Sequence, residues 1–242
     1  MEFHVYENAR AACEAAGVLI AAQITRKGDS VLGLATGSTP IPAYEMLTQW
    51  YDRGVIDFDR VRTFNLDEYV GIDHKNPLSY HAFMQEHLFS KVNLRPENVH
   101  LPSGNGAADA EAYDKAIHDA GGIDIQLLGI GRNGHIGFNE PDDCFAKGTH
   151  CVELTESTIE ANKRFFASED EVPRRAYSMG IHTIMTAKKV LVVASGEDKA
   201  WAIRESCFGP VTPKVPGSIL QLHNDAIVIA DEAALSLCGD FL

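Results

Sequence analysis

Short apolar runs rich in β-branched residues alternate along the chain with longer segments whose apolar residues recur every three or four positions. The first pattern predicts buried strands, and the second predicts helices that turn one face to a core. The predicted strands cover residues 31–35, 61–66, 123–130, 190–194 and 226–230. The predicted helices cover residues 8–27, 42–51, 79–91, 108–120, 156–166 and 198–207.

This alternation predicts an α/β fold, in which a parallel or mostly parallel sheet is covered by helices on both faces as a three-layer sandwich. In such sheets the ligand-binding loops lie beyond the carboxyl ends of the strands. The sequence has no internal repeat and no low-complexity linker, so residues 1–242 are predicted to form a single domain. The proline-rich segment 210–217 is predicted to be a surface loop.

Composition narrows the possible partners. Hydrophobic residues make up 45% of the 242 residues and charged residues 23%, which is typical of a globular protein. The 34 acidic residues outnumber the 21 basic ones, giving a net charge of −13 that disfavours nucleic acids and anionic membranes as partners. An anionic ligand would therefore need a few well-placed basic residues.

The cysteine pattern and the N-terminus indicate a cytoplasmic protein. The five cysteines are odd in number and include no Cys-x-x-Cys pair, so neither a disulfide framework nor a zinc site is predicted. The first residues lack the basic and apolar regions of a secretory signal, and no apolar run has the length of a bilayer span.

A small-residue turn at 35–40 follows the first predicted strand and leads into a helix. Backbone N–H groups at a helix start, together with the small or hydroxyl residues Gly37, Ser38 and Thr39, can hold a phosphate group. The same residues are also common as ordinary helix caps. Both interpretations are open from the sequence.

Two adjacent carboxylates, Asp67 and Glu68, stand where the second predicted strand ends. Neighbouring side chains of an extended segment point to opposite sides, so one is expected to face a ligand and the other structure or solvent. The sequence does not decide which. The alternative is that both carboxylates are simply solvated at the end of the strand.

The most informative segment is the glycine-rich stretch 129–141, which directly follows a buried-looking strand. Its first three glycines have the spacing G-x-G-x-x-G, and Glu153 lies near the position of a ribose-binding acid. A dinucleotide site would require a helix to begin within the motif, and Gly137 and Pro141 disfavour one. A glycine-rich loop that carries polar side chains fits better.

On such a loop His135 and Glu140 could form an acid–base pair, in which the carboxylate orients the imidazole and raises its basicity. Asn133 would add a neutral hydrogen bond. A lone histidine is usually structural, but a glycine-rich loop gives no packing reason to collect His, Asn and Glu together.

These motifs resemble those of the glucosamine-6-phosphate deaminase family. The resemblance rests on Leu-Asp-Glu-Tyr at 66–69 and on the segment 129–141, and it extends over essentially the whole chain. The supporting motifs, in the family's order, are Thr-Gly-Ser-Thr-Pro at 36–40, Glu-Ala-Asn-Lys-Arg-Phe-Phe at 160–166, Ser-Gly-Glu-Asp-Lys-Ala at 195–200 and Leu-Gln-Leu-His at 220–223.

The resemblance implies a modified Rossmann-like fold and a set of roles. Asp67 would be the proton acceptor, and Asn133, His135 and Glu140 would serve ring opening. The residues that would hold the sugar phosphate are Gly37, Ser38, Thr39, Arg164 and Lys199. The family converts glucosamine 6-phosphate to fructose 6-phosphate and ammonia without a metal or organic cofactor. The implied partner is thus a small sugar phosphate, and the protein is expected to be a monomer or small homo-oligomer.

The chain departs from the family in places that bear on regulation. Many members carry Asp where Asn133 stands, although shorter members carry Asn. In the longer hexameric members the region that matches 142–148 helps to bind the activator N-acetylglucosamine 6-phosphate, but here it contains Asp142, Asp143 and Gly148. No such allostery is therefore expected.

Two other function classes stay open from the sequence. The related 6-phosphogluconolactonases share the architecture and would use His135 to hydrolyse a lactone, but the motifs at 66–69 and 139–141 favour a deaminase. A non-catalytic sugar-phosphate sensor would keep the phosphate loop, yet such regulators usually carry a DNA-binding module that this acidic chain lacks.

Overall fold

The computed structural model describes residues 1–103, 106–154, 159 and 173–239. Ten strands occur in these residues: β1 (Glu2–Tyr6), β2 (Val31–Leu34), β3 (Arg62–Asn65), β4 (Asp67–Tyr69), β5 (Val99–His100), β6 (Ile125–Gly129), β7 (His150–Glu153), β8 (Arg175–Ser178), β9 (Val190–Ala194) and β10 (Ala226–Asp231). Seven form a parallel sheet in the order β1-β10-β9-β6-β2-β3-β5, and three form an antiparallel sheet in the order β4-β8-β7.

Helices connect most of the parallel strands. The described α-helices are α1 (Ala9–Arg26), α2 (Ile41–Asp52), α3 (Tyr80–His87), α4 (Ala107–Asp119), α5 (Ile181–Met185) and α6 (Ala200–Phe208). Short 3-10 helices cover Phe89–Lys91, Pro96–Asn98, Glu197–Lys199 and Pro216–Leu222. Helix α1 starts where the Asn8 side chain accepts the N–H of Ala11, a standard N-cap that satisfies one free donor of the first turn.

The central strands are buried along their whole length. Every residue of β2, β9 and β10 is buried, and these strands are rich in Val, Ile and Leu. A strand buried at every position must be covered on both faces of its sheet, since successive side chains point to opposite faces. The predicted α/β fold with a mostly parallel sheet is confirmed.

The strand order places a crevice between β2 and β6. From β2 the chain proceeds to β3 and β5 on one side, and from β6 it proceeds to β9 and β10 on the other side. Ligands of open α/β sheets bind at such a reversal, outside the carboxyl ends of the strands. The loops after β2 and β6 are the ones that carry the small-residue turn and the glycine-rich stretch.

The structure contains strands that the sequence pattern did not predict. The five predicted strands are present, but the pattern missed the edge strand β1 and the short β5, as well as the whole antiparallel sheet. The predicted helix 156–166 lies outside the described residues apart from Ile159, which is helical and buried. Among the described residues, no helix is long and apolar enough to cross a bilayer.

The prediction of a surface loop at 210–217 is wrong for its last part. Val215, Pro216 and Gly217 are buried, and the N–H of Gly217 donates to the carbonyl of Gly134 at 2.7 Å. Prolines and a glycine often mark an exposed turn, whereas here Pro216 and Gly217 begin a 3-10 helix that supports the glycine-rich loop.

Candidate active site

Most of the predicted site residues lie at one edge of the large sheet. Strands β9, β6, β2 and β3 are consecutive neighbours, and each is followed by a segment that carries predicted site residues. These segments hold Lys199 after β9, the glycine-rich loop after β6, Gly37 to Thr39 after β2 and Asp67 after β3. Arg164 lies outside the described residues, so its role stays a prediction.

The turn after β2 does not cap its helix. Helix α2 begins at Ile41, and its N-cap residue is Pro40, with no capping side chain among the described residues. Gly37 has φ +94°, a left-handed conformation that favours glycine, and it is exposed together with Ser38. The cap interpretation is therefore wrong for these residues, and their N–H and hydroxyl groups are available to an anion.

The carboxylate of Asp67 is buried and accepts no hydrogen bond from the described residues. Its exposed fraction is 8%, and burial raises the pKa of its carboxyl to about 8, with a further contribution from the charge of Glu68. A carboxylate that lacks donors is poorly stabilised as an anion and is therefore a stronger base than an ordinary aspartate. Its value near neutral pH suits a general base.

Glu68 has the opposite surroundings. Its carboxylate accepts the N–H groups of Tyr69 at 2.9 Å, Tyr80 at 3.0 Å and His81 at 2.9 Å. Tyr80 and His81 are the first two residues of α3, so Glu68 caps the free donors of that helix. Of the two adjacent carboxylates, Glu68 therefore faces structure, and Asp67 is the one available for chemistry.

The glycine-rich loop folds as a tight turn over β6. The N–H of Gly131 donates to the carbonyl of His135 at 2.9 Å, and the N–H of Gly134 donates to the carbonyl of Gly131 at 3.0 Å. A Cβ atom at Gly131 would stand only 2.2–2.4 Å from the imidazole of His135. A glycine is thus required at 131 because the His135 ring packs directly on its backbone.

His135, Glu140 and Asn133 are brought together by this turn. Oε1 of Glu140 lies 3.2 Å from Nδ1 of His135, which is ion-pair distance although the angle is not that of a hydrogen bond. Oε2 of Glu140 accepts a hydrogen bond from Nδ2 of Asn133 at 2.6 Å, and Oδ1 of Asn133 accepts the N–H of His135 at 3.2 Å. Glu140 is held by Asn133 so that its other oxygen faces the imidazole.

Gly137 brings the same loop beside Asp67. Its φ is +59°, and a Cβ atom at this position would lie 3.0 Å from Oγ of Ser178 and 3.9 Å from Oδ2 of Asp67. Oγ of Ser178 accepts the N–H of Phe138 at 3.0 Å. Strand β8 thereby holds the loop against β4, since Ser178 also pairs with Asp67 across the antiparallel sheet.

Lys199 lies half-buried at the start of α6, next to the glycine-rich loop. Nε of Arg132 donates to Oδ2 of Asp198 at 2.8 Å and so connects the loop to the segment that carries Lys199. Burial lowers the pKa of Lys199, Asp198 opposes this shift, and Arg132 adds to it. No group of three or more His, Cys, Asp or Glu residues within the described ranges is arranged to hold a metal ion.

The chain is similar to known proteins over most of its length. The profile of the family described as glucosamine-6-phosphate isomerases/6-phosphogluconolactonase matches residues 6–229. The chain belongs to this family. Within it, a glucosamine-6-phosphate deaminase of Clostridioides difficile (strain 630) is 58% identical over 91% of this chain and 90% of its own length. A second, from Clostridium botulinum (strain Alaska E43 / Type E3), is 53% identical over 98% of this chain and 96% of its own length.

Solved structures of this family agree in fold. The structure of a monomeric glucosamine-6-phosphate deaminase superposes with a TM-score of 0.93 at 40% identity, covering 98% of this chain and 100% of that chain. The 6-phosphogluconolactonase of Trypanosoma brucei superposes with a TM-score of 0.72 at 17% identity, covering 98% of each chain, and so shares the fold alone.

Sequence reasoning missed two parts of this family member's site. The contact of Ser178 with the glycine-rich loop gave no signal, because β8 is four residues long and carries no apolar run. The buried amide of Asn139 donates to the carbonyls of Ile136 at 2.8 Å and Met179 at 2.9 Å, which fixes the end of the loop. Asn139 stood in the family motif, but its sequence position alone gave no structural role.

Proposed function

We propose that this chain converts glucosamine 6-phosphate to fructose 6-phosphate and ammonia, with Asp67 as the base that moves the proton. The observation that carries the proposal is the buried, donor-free carboxylate of Asp67 beside the loop that holds His135 and Glu140. The support from relatives is their identity of 50 to 58% with this chain under the name glucosamine-6-phosphate deaminase.

The first step is ring opening by His135. Glucosamine 6-phosphate is mostly a closed ring, so a proton must move from the anomeric hydroxyl to the ring oxygen before an aldehyde appears. The carboxylate of Glu140, 3.2 Å from Nδ1, stabilises the imidazolium that forms when His135 takes this proton. Asn133 keeps Glu140 in place by its hydrogen bond of 2.6 Å.

The second step is proton transfer by Asp67. The aldehyde at C1 makes the proton on C2 acidic, and Asp67 removes it to give an enolamine. The proton returns at C1, and water hydrolyses the resulting ketimine at C2 to release ammonia. A base whose pKa is raised to about 8 is matched to this transfer better than an ordinary aspartate would be.

The phosphate group would lie at the turn after β2. The N–H and hydroxyl groups of the exposed Gly37 and Ser38 and of the partly exposed Thr39 supply neutral donors at the start of α2, and Lys199 supplies a positive charge. Arg164 is proposed as a second cation on the strength of the family resemblance. These few groups are enough for an anion even in a chain of net charge −13.

A coupled assay tests the proposal. Purified protein is incubated with glucosamine 6-phosphate, and fructose 6-phosphate and ammonia are measured in parallel samples by two separate enzymatic detections. Equal amounts of both products are expected. Hydrolysis of 6-phosphogluconolactone with no ammonia from the amino sugar would instead favour the lactonase, and binding without turnover would favour a sensor.

We further propose that the protein acts as a monomer in the cytoplasm. A structural relative of 40% identity is described as monomeric, and all five cysteines are unpaired. Light scattering of the purified protein tests the first part, with a mass near 26.4 kDa as the expected result. A dimeric or larger mass would contradict it.

A further inference from the structure

Glu68 lies next to Asp67 in β4 and is hydrogen-bonded to the first turn of α3. It belongs to β4 beside Asp67, it is 1% exposed, and its carboxylate receives three backbone N–H groups. Two of these donors belong to the first turn of α3, twelve and thirteen residues further along the chain.

We infer that Glu68 is a positioning residue for proton transfer, which ties the end of β4 to the start of α3 and keeps a fixed negative charge beside Asp67. The inference rests on the proposed function, since it gives Asp67 the proton transfer. It adds a role for a residue whose carboxylate is bound by backbone N–H groups.

The hydrogen bonds favour the ionised form of Glu68. Burial raises the pKa of Glu68, and the three N–H groups offset part of this rise without reversing it, so each of them favours the anion. A carboxylate has acceptors only, so three short N–H contacts bind its anion well, and the positive end of the α3 dipole adds to this. Asp67, one residue away, has no such donor among the described residues.

The two carboxylates therefore divide the work. Because Glu68 is stabilised as an anion, its charge disfavours a second anion next to it and so raises the pKa of Asp67 beyond the effect of burial. Adjacent acids whose surroundings drive their proton affinities apart are a recurring source of acid–base function. Here backbone N–H groups bind the Glu68 carboxylate, whereas the Asp67 carboxylate stays available for proton transfer.

Other titratable groups near the pair do not replace this charge. The charge of Asp67 acts on three tyrosines, on β4, α3 and α4, and burial raises the pKa of each. They therefore stay neutral in the working pH range. These tyrosines are Tyr69, Tyr80 and Tyr113.

The groups that face Glu68 itself are few. Strand β8 places Tyr177 opposite Glu68, and burial raises the pKa of Tyr177, so it also stays neutral. His74 lies near enough for its charge to stabilise the Glu68 anion when it is protonated. The variant His74→Gln therefore serves as a control that removes this charge and leaves Glu68 in place.

The test compares pH profiles of kcat/KM, which report the ionisation of the free enzyme. Glu68→Gln keeps the shape and removes the charge, so its acidic limb should move to lower pH by about 1 unit, the lower end for a neighbouring charge. Glu68→Asp keeps the charge and shortens the reach, so its limb should stay at the wild-type position while kcat falls. The amine and phosphate of the substrate titrate equally in all variants and cancel in the comparison.

Asp124→Asn is the matched control. Asp124 is also a buried carboxylate that accepts a backbone N–H, from Val31 at 2.8 Å, but it lies at the opposite edge of the sheet. Its variant should lose thermal stability and keep the wild-type limb. If Glu68→Gln behaves in the same way, with lower stability and an unmoved limb, Glu68 is purely structural and the inference is overturned.

A measurement on the wild-type protein decides the matter if Glu68→Gln does not fold. Carbon-13 NMR of side-chain carboxyls, assigned with Asp67→Asn, should show Glu68 ionised throughout the range in which Asp67 titrates. A protonated Glu68 at neutral pH would overturn the inference. This titration needs no turnover, so it gives an answer even if the wild type fails to release ammonia and the proposed function is wrong.

Discussion

The amino ends and the carboxyl ends of the parallel strands form two opposite edges of the large sheet. Each of these edges holds a buried aspartate, and the surroundings of the two aspartates differ. At the amino edge, Asp124 accepts Nζ of Lys27 at 2.6 Å, Nζ of Lys188 at 2.7 Å and the N–H of Val31 at 2.8 Å. At the carboxyl edge, the carboxylate of Asp67 accepts no hydrogen bond from the described residues.

The pKa values of the two carboxyls follow from these contacts. Burial acts to raise the pKa of Asp124, but the bonds from Lys188 and Lys27 outweigh it, and the net shift is downward. Burial of Asp67 meets no such compensation, and its pKa rises to about 8. Similar burial therefore gives a stable anion at one edge and a base at the other, so what identifies a candidate catalytic carboxylate is missing partners together with burial.

The largest effect is expected at the base. Asp67→Asn should lower kcat by at least about 100-fold, the lower end for loss of a general base, because the amide cannot accept the C2 proton. The variant should still fold and bind substrate, which calorimetry with glucosamine 6-phosphate can check. Near-normal turnover, measured as fructose 6-phosphate and ammonia, would show that Asp67 is not the base. The contrast between Asp67 and Asp124 would then have no catalytic meaning.

A smaller effect is expected at the phosphate. Lys199→Ala should raise KM for glucosamine 6-phosphate by about 10- to 100-fold, since a charged hydrogen bond contributes about 1.5–3 kcal/mol. Arg164→Ala is expected to act in the same sense. The control is Lys188→Ala at the amino edge, which should leave KM unchanged. An unchanged KM in Lys199→Ala would show that Lys199 does not bind the phosphate group of the substrate.

The sequence was sufficient for some of these features. Fully buried strands such as β9 and β10 show as continuous apolar runs, so the parallel sheet and its carboxyl edge could be predicted. The loop from Gly131 to Glu140 carried its chemistry within one short segment, and the predicted pairing of His135 with Glu140 has its counterpart in their contact of 3.2 Å.

Other features depend on contacts between distant parts of the chain. The separate roles of Asp67 and Glu68 are set by donors in α3, twelve or more residues away, and no local pattern encodes them. The support of the loop by Ser178 comes from a strand without an apolar run. The burial of Val215 follows from its packing on Gly134, which only the folded chain brings near. The relatives confirm the deaminase prediction over the lactonase alternative.

Stability should respond to the two aspartates with opposite signs. Asp67 holds its proton to higher pH in the folded chain than its ordinary value near 4, so between about pH 4 and 8 the folded state binds more protons and loses stability as pH rises. Asp67→Asn removes this cost. Its Tm should exceed that of the wild type by at least about 2–4 °C at pH 8, corresponding to about 1 kcal/mol, and the difference should vanish near pH 4.

Asp124→Asn should do the reverse. The pKa of Asp124 is lowered, so its contribution is present above the ordinary value and is lost as pH falls through the lower one. The expected loss at neutral pH is about 1–3 kcal/mol, toward the lower end because Lys27 and Lys188 are partly solvated. Thermal scans of both variants from pH 4 to 8 measure this. Shifts of the same sign at pH 8 would contradict the comparison.

The smallest effect, an absence of response, is expected from N-acetylglucosamine 6-phosphate. Allostery requires a second site and two states that the effector binds unequally. A cavity of about 310 Å³ borders Glu140 on the side of segment 142–153, but Glu140, Asp142 and Glu153 line it, and their charge disfavours a phosphate. Gly148 leaves no room for a longer residue, since a Cβ there would lie 2.5 Å from Oδ2 of Asp114.

Velocity should therefore be hyperbolic in glucosamine 6-phosphate, and the acetylated sugar should leave both kcat and KM unchanged at concentrations below those at which it competes for the active site. The measurement is a set of saturation curves at fixed pH and salt, with and without the acetylated sugar. The double variant Asp142→Ser with Glu153→Thr gives a sharper test of the charge argument. It removes two of the three carboxylates that line the cavity and leaves the proposed catalytic residues in place. Activation of the wild type, or a sigmoidal curve that the acetylated sugar makes hyperbolic, would show that this cavity accepts an anion despite its lining. The charge argument for segment 142–153 would then be wrong, whereas the comparison of Asp67 with Asp124 would stand.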